Sequence, residues 1–181
     1  ICGAMLWYPD ETIQHAGIVT GLGGYAGHSH KYKKKGGSGY LFRTSTVQDF
    51  SGVTGACLLV KTAVYDEMHG LDEQFAVAFN DVDFCLRVRD AGYRIAWTPY
   101  AELIHYESKS RGGDEKDPVK AARFAAEQQR LYTIHGKENI LDDPYYNPNL
   151  TRDREDFSES DDLRRLKEGR VTVRFRGGTL Q

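Results

Sequence analysis

The sequence predicts an α/β fold, because apolar runs of strand length alternate with helical segments along most of the chain. An apolar run at residues 53–60 precedes a short helical segment at residues 61–68. A longer helical pattern begins at Asn80 and stops at Gly92. With 181 residues, the chain has the length of one ordinary domain.

Composition indicates a globular protein and argues against nucleic acid as a partner. Hydrophobic residues make up 40% and aromatic residues 12%, enough to bury a core. Lysine and arginine number 24 against 26 acidic residues, a net charge of −2, whereas nucleic-acid-binding domains usually carry a basic excess. The three cysteines are far apart and odd in number, so we expect reduced thiols and a cytoplasmic location.

The first third of the chain predicts strands and loops. Residues 2–8 and 18–20 read as short strands, and a glycine-rich loop follows as far as Gly39. No apolar run reaches the roughly 18 residues of a membrane-spanning helix.

Two further strands and a long helix are predicted in the second half. Residues 94–98 form a strand ending at Pro99, and residues 101–106 form another with Ala101, Leu103 and His105 on its inward face.

The long helix should begin at Asp117-Pro118, as N-cap and first helical residue, and end at Gly136. Beyond it the pattern weakens into turn chemistry and charge, with one isolated alternating run at residues 171–175. We expect a domain at residues 1–136 and a polar C-terminal extension at residues 137–181.

The densest polar cluster opens the helix that begins at Asn80. Asp81 and Asp83 lie in its first turn, where the helix dipole favours a carboxylate that can accept a proton from a hydroxyl. The alternative is that Asp81 caps the helix and Asp83 offsets its dipole, which composition alone favours.

A second cluster follows the strand at residues 101–106. A neutral imidazole at His105 can ligate a divalent metal, and Lys109 and Arg111 can donate to phosphate oxygens. A lone histidine in a strand is nevertheless more often structural. His28 and His30 have no carboxylate or thiol at zinc-like spacing, and we expect them to be loop residues.

The basic cluster at residues 31–35 predicts a solvated loop. Its functional alternative is attraction to an anionic lipid surface or to a substrate diphosphate.

Several consecutive segments carry a family resemblance. They are residues 4–17, 53–60, 70–75, 80–87, 91–94 and 98–111. Together they resemble the C-terminal half of a family 2 glycosyltransferase with the GT-A fold, a mixed sheet with flanking helices. The match covers residues 1–136, and the segment at residues 143–148 is similar to extensions of bacterial members that build surface polysaccharide.

The resemblance implies inverting transfer of a sugar from a nucleotide-diphosphate sugar donor to a glycan or lipid-linked acceptor. Asp81 matches the catalytic base, His105 a metal-ligand position and Arg111 a position near the donor diphosphate. Asn80 replaces the acidic neighbour of the base. The residues assigned to substrate binding are Thr54, Gly55, Ala56, Asn80, Asp83, Lys109 and Arg111, the first three running beside the donor sugar.

The resemblance also implies a divalent metal, Mn²⁺ or Mg²⁺, in the full-length protein. A full member opens with a nucleotide-binding strand-helix-strand region and an Asp-X-Asp motif, which are not among these residues. We therefore expect a missing N-terminal half in the same polypeptide, and neither bound metal nor activity in the isolated chain. The expected location is the cytoplasm, with peripheral association at the inner face of the membrane.

Two alternatives remain open. The chain can be a non-catalytic module that binds a glycan or a partner, with Asn80 as a sign of lost catalysis. It can also be a hydrolase that uses Asp81 and Glu107 as a carboxylate pair.

Overall fold

The computed structural model describes residues 1–106 and 117–161, together with the backbone of residues 174–175 and 178–179. Three residues named above lie outside the described residues: Glu107, Lys109 and Arg111.

A five-stranded mixed sheet confirms the α/β class. Its order is β2-β1-β7-β5, with β6 also paired to β1, and β1 and β7 run parallel while the other pairs are antiparallel. Two further pairs, β3 with β4 and β8 with β9, form separate ladders. The strands are β1 Cys2–Trp7, β2 Ile13–His15, β3 Ile18–Thr20, β4 Ala26–His28, β5 Gln48–Asp49, β6 Leu58–Leu59, β7 Ala96–Ile104, β8 Arg174–Phe175 and β9 Gly178–Thr179.

Among the described residues, four helices flank the sheet, at α1 Thr62–Glu67, α2 Asn80–Asp90, α3 Pro118–His135 and α4 Lys137–Leu141. The predicted caps of α3 are present, since the Asp117 side chain accepts from the amide of Val119 at 2.9 Å and Gly136 follows the last turn at φ 78°. Within residues 1–106 and 117–161, every helix is too short or too polar to cross a bilayer.

The predicted strand at residues 53–60 is largely wrong, because its only paired part is β6. The backbone amides of the residues before β6 donate to side chains from other parts of the chain. The amides of Val53, Thr54 and Gly55 donate to Cys85, His15 and Asp81 respectively. The segment is therefore a turn that brings its backbone against α2.

The two strands predicted on either side of Pro99 are one strand, β7. Ala4 of β1 pairs with Thr98, and the next residue, Met5, pairs with Glu102. Residues 99–101 are thus bulged out of the ladder, which accommodates a proline that has no amide to donate. The expected inward face is also wrong, because Leu103 is exposed.

The core extends beyond α3. The described part of the expected polar extension, residues 137–161, contributes four buried side chains to it. These are Ile140, Tyr146, Leu150 and Phe157. Asp143 reinforces the attachment, since its buried carboxylate accepts from the amide of Thr20 at 2.7 Å.

Candidate active site

A cavity of about 890 Å³ brings together most of the residues predicted from the sequence. It lies between β4, the turn at residues 54–56 and the start of α2. The predicted residues that line it are Thr54, Gly55, Ala56, Asn80, Asp81 and His105.

Asp81 is presented to the cavity by the way α2 begins. Phe79 takes a left-handed conformation with φ 64°, which turns the chain sharply into the helix. One carboxylate oxygen of Asp81 accepts from the Val82 amide at 2.9 Å, and the other accepts from the Gly55 amide at 2.8 Å. The carboxylate is half-buried and held by two backbone donors, and it faces the cavity from the first turn of α2, whose N-cap residue is Phe79.

The turn at residues 54–56 is fixed by a buried histidine. Nε2 of His15 accepts from the amides of Thr54 and Gly17, each at 3.3 Å. Because Nε2 is the acceptor, Nδ1 carries the proton and donates to Nδ1 of His28 at 2.8 Å. Complete burial, and then the neighbouring His28 and His105, hold the pKa of His15 well below its usual value.

His105 follows the end of β7 and lines the cavity. Its amide donates to the carbonyl of Trp7 at 2.8 Å, and its Nδ1 is buried without a hydrogen-bond partner in the described structure. An unpaired imidazole nitrogen at a cavity wall suits a metal ligand. The described residues contain no group of three or more histidine, cysteine or acidic side chains that could hold a metal ion.

Asp83 does not line the cavity. Its carboxylate is buried and binds Arg87 at 2.8 Å and His135 at 2.9 Å. Burial acts to raise the pKa of Asp83, but the hydrogen bonds from His135 and Arg87 outweigh it and lower the pKa. In this structure Asp83 joins α2 to the end of α3.

Three aromatic rings form another side of the cavity, which we call the aromatic wall: Tyr25, Phe79 and Phe124. Each ring contacts the other two, with centroids 5.1 to 5.5 Å apart. Phe79 is two residues before Asp81, so the wall adjoins the carboxylate.

Helix α3 holds the aromatic wall in place. Glu127 accepts from the amides of Val77 and Ala78, at 3.1 and 2.8 Å, and so fixes the loop that carries Phe79. The Tyr132 hydroxyl donates to the carbonyl of Gly24, beside Tyr25. Glu127 and Tyr132 follow Phe124 by one and two helical turns, on the same face of α3.

Several cavity residues were not predicted from the sequence. His28 lies on β4 and faces the cavity, which corrects its assignment as a loop residue. Glu155 accepts from the His28 amide at 2.8 Å. Lys31 also lines the cavity, and it belongs to the basic cluster whose functional alternative was attraction to an anionic lipid surface or to a substrate diphosphate. Among these unpredicted cavity residues, Gln14 carries a usable signal, because it is a polar residue between Ile13 and His15 in a short buried strand.

Comparison with known proteins gives three informative relatives. An uncharacterized protein, y4gI, of Sinorhizobium fredii is 49% identical over 156 residues, which is 86% of this chain and 17% of the relative. The O-antigen biosynthesis protein RfbC of Myxococcus xanthus is 35% identical over 150 residues, 82% of this chain and 11% of the relative.

The third relative is the N-acetylglucosaminyl-diphospho-decaprenol L-rhamnosyltransferase of Mycobacterium tuberculosis. It is 32% identical over 80 residues, 44% of this chain and 24% of the relative. No protein-family model and no solved structure matches the chain.

The chain thus spans less than a fifth of the length of the first two relatives. One relative is named for O-antigen biosynthesis and another for rhamnosyl transfer, and their similarity suggests that this chain comes from a glycosyltransferase family.

Proposed function

We propose that the chain is the acceptor-side part of an inverting GT-A glycosyltransferase of bacterial polysaccharide biosynthesis. The observation that carries the proposal is the cavity, which joins Asp81 to the turn at residues 54–56 and to His105. These three elements are distant in sequence, and the family resemblance of the sequence implies a place in the transferase site for each of them. The donor is a nucleotide-diphosphate sugar, and the acceptor is a glycan or a lipid-linked glycan.

Asp81 acts as the general base. As the acceptor hydroxyl oxygen forms a bond to the anomeric carbon, its proton passes to Asp81 and the bond to the nucleoside diphosphate breaks. The amides of Gly55 and Val82 each use one lone pair of the carboxylate, which fixes its orientation and leaves lone pairs for the acceptor.

His105 is proposed as a ligand of a divalent metal, Mn²⁺ or Mg²⁺. Its buried and unpaired Nδ1 fits that assignment, and the described residues do not place two further ligands beside it. When bound, such an ion neutralises charge on the leaving diphosphate. Lys109 and Arg111 are proposed to contact the same diphosphate.

The aromatic wall is proposed to bind the acceptor sugar. Aromatic faces carry partial negative charge and pack well against the C–H faces of a pyranose ring. A ring stacked on Phe79 or Phe124 would lie beside Asp81, where one of its hydroxyls can be deprotonated.

The nucleotide-binding half is proposed to lie elsewhere in a longer polypeptide and to cover one end of the sheet. The exposed end of β7 presents Tyr100, Leu103 and Ile104 to solvent. An apolar surface of this kind commonly marks an interface. The lengths of the relatives agree with a larger protein.

Peripheral association with an anionic membrane is also proposed, through the exposed Lys33 and Lys34. We expect the full-length polypeptide to co-sediment with phosphatidylglycerol vesicles but not with phosphatidylcholine vesicles. Equal co-sedimentation with both kinds of vesicle would contradict this proposal.

The direct test of function is a transfer assay with the full-length polypeptide that contains this chain. It would be incubated with a panel of nucleotide sugars, Mn²⁺ and glycan or lipid-linked acceptors. We expect acceptor-dependent release of nucleoside diphosphate and a product of inverted anomeric configuration by NMR. Release of free sugar without an acceptor would favour the hydrolase, and binding without turnover would favour the non-catalytic module.

A further inference from the structure

Gln14 has a buried polar atom without a partner. The side chain lies in the middle of β2, is 2% exposed and lines the cavity. Its Oε1 is buried and makes no hydrogen bond within the described structure. A buried amide oxygen without a donor costs free energy, so such an atom calls for a specific reason.

Among the described residues, the other buried side-chain atoms outside the cavity that make no hydrogen bond belong to two arginines, Arg43 and Arg123, and Nε of Arg123 lies 3.9 Å from Oε1 of Glu127. The unpaired nitrogens of Arg43 belong to a guanidinium that stacks over the rings of Phe50 and Phe157, at 4.7 and 5.7 Å from their centroids. By contrast, Gln14 Oε1 and His105 Nδ1 both belong to residues that line the cavity proposed as the sugar site.

The chemistry of Oε1 restricts what can pair with it. A carboxamide oxygen only accepts hydrogen bonds, so it matches a hydroxyl or an N–H group and not an ionised phosphate or carboxylate. Sugar rings are rich in hydroxyls, and a site built to pair with one discriminates against analogues that lack it.

We propose that Gln14 is a sugar-binding residue whose Oε1 accepts a hydrogen bond from a hydroxyl of a pyranose in the cavity. This inference rests on the proposed function, and it names a recognition residue in the same site. The pyranose is either the donor sugar or the acceptor sugar, since both present the same hydroxyl chemistry.

The test is a binding measurement, so that it does not require catalysis. Saturation-transfer difference NMR would measure the binding of methyl pyranosides and their monodeoxy analogues to the full-length polypeptide. Gln14→Met removes the oxygen while keeping an unbranched side chain, and we expect it to raise the Kd of a bound pyranoside about tenfold or more. The analogue that lacks the contacted hydroxyl should bind the wild type and Gln14→Met equally.

Stability provides a second readout. Because Oε1 is unpaired in the free protein, Gln14→Met should leave the melting temperature unchanged or raise it, whereas a merely structural glutamine would lower it. Gln14→Glu keeps an acceptor oxygen and should retain more affinity than Gln14→Met. Gln74→Met is the matched control, since Gln74 is exposed and outside the cavity.

Equal pyranoside Kd values for the wild type and Gln14→Met, or no pyranoside binding by the wild type, would overturn the inference. If Gln14-dependent binding occurs without sugar transfer, the proposed function fails while the inference stands. If the protein is active, a higher KM of Gln14→Met for the nucleotide sugar assigns Gln14 to the donor subsite. A higher KM of this variant for the acceptor assigns Gln14 to the acceptor subsite.

Discussion

His30 illustrates how a buried imidazole ties the glycine-rich loop to the C-terminal residues. Its Nε2 accepts from the Tyr40 amide at 3.0 Å, and its ring stacks on Phe157 with centroids 4.1 Å apart. Burial, followed by the nearby charges of Lys33 and Arg43, lowers the pKa of His30 to about 4.

This shift predicts a loss of stability in mild acid. The folded-state pKa lies below the usual 6.5, so the stabilisation is full above pH 6.5 and is lost as the pH falls towards 4. His30 should contribute a loss of about 2 kcal/mol between pH 7 and pH 5. Urea unfolding at both pH values should show a smaller loss for His30→Gln than for the wild type, and equal losses would contradict the assignment.

At the scale of elements, α2 and α3 were predictable because their signals are local. Asp117, Pro118 and Gly136 mark the ends of α3 within the sequence itself, and the same is true of Gly92 after α2. These signals depend on backbone geometry within one turn of the helix.

The turn at residues 54–56, together with Val53 before it, was not predictable in the same way. Its backbone is bound by His15, Asp81 and Cys85, side chains that only the tertiary fold brings near it. For this reason the apolar run at residues 53–60 predicted a strand, although most of it forms a turn. The aromatic wall was missed for the same reason, since its three rings come from three separate segments.

Glu127 should be essential to the arrangement of the site. Glu127→Leu leaves the amides of Val77 and Ala78 without their acceptor, and we expect a loss of about 2–4 kcal/mol in the free energy of unfolding. Glu127→Gln retains one acceptor oxygen and should lose less. Chemical denaturation would measure both, with Gln129→Leu on the exposed face of α3 as control; equal stability of Glu127→Leu and the control would refute the role.

Phe124 tests the aromatic wall. Phe124→Ala should raise the KM for the acceptor about tenfold while the KM for the nucleotide sugar changes little, because the ring is proposed to bind the acceptor sugar. Phe124→Tyr should restore the acceptor KM. Phe42→Ala is the matched control, since Phe42 is an exposed aromatic residue outside the cavity. A change confined to the donor KM would place the wall on the donor side instead.

At the scale of the whole molecule, the cavity contains the complete surroundings of the proposed base but only part of the proposed metal site. The proposed base is held by α2 and the turn at residues 54–56, whereas His105 is the one proposed metal ligand among the described residues. The first feature is built from described residues of this chain, and the second needs further ligands that the described residues do not supply.

The isolated 181-residue chain should therefore bind nucleotide sugars weakly. Calorimetry with nucleotide sugars and Mn²⁺ is expected to detect no micromolar binding by this chain, while the full-length polypeptide binds. Micromolar affinity of the isolated chain would show that the donor site does not need the remainder of the protein.

The most direct measurement is the kcat of sugar transfer by Asp81→Asn in the full-length polypeptide, compared with the wild type. The carboxamide keeps the size of the side chain but cannot accept the proton of the acceptor hydroxyl, so kcat should fall about 10²- to 10⁴-fold with little change in either KM. Asp90→Asn, at the exposed end of α2, should retain wild-type kcat. An unchanged kcat in Asp81→Asn would contradict the assignment of Asp81 as the base.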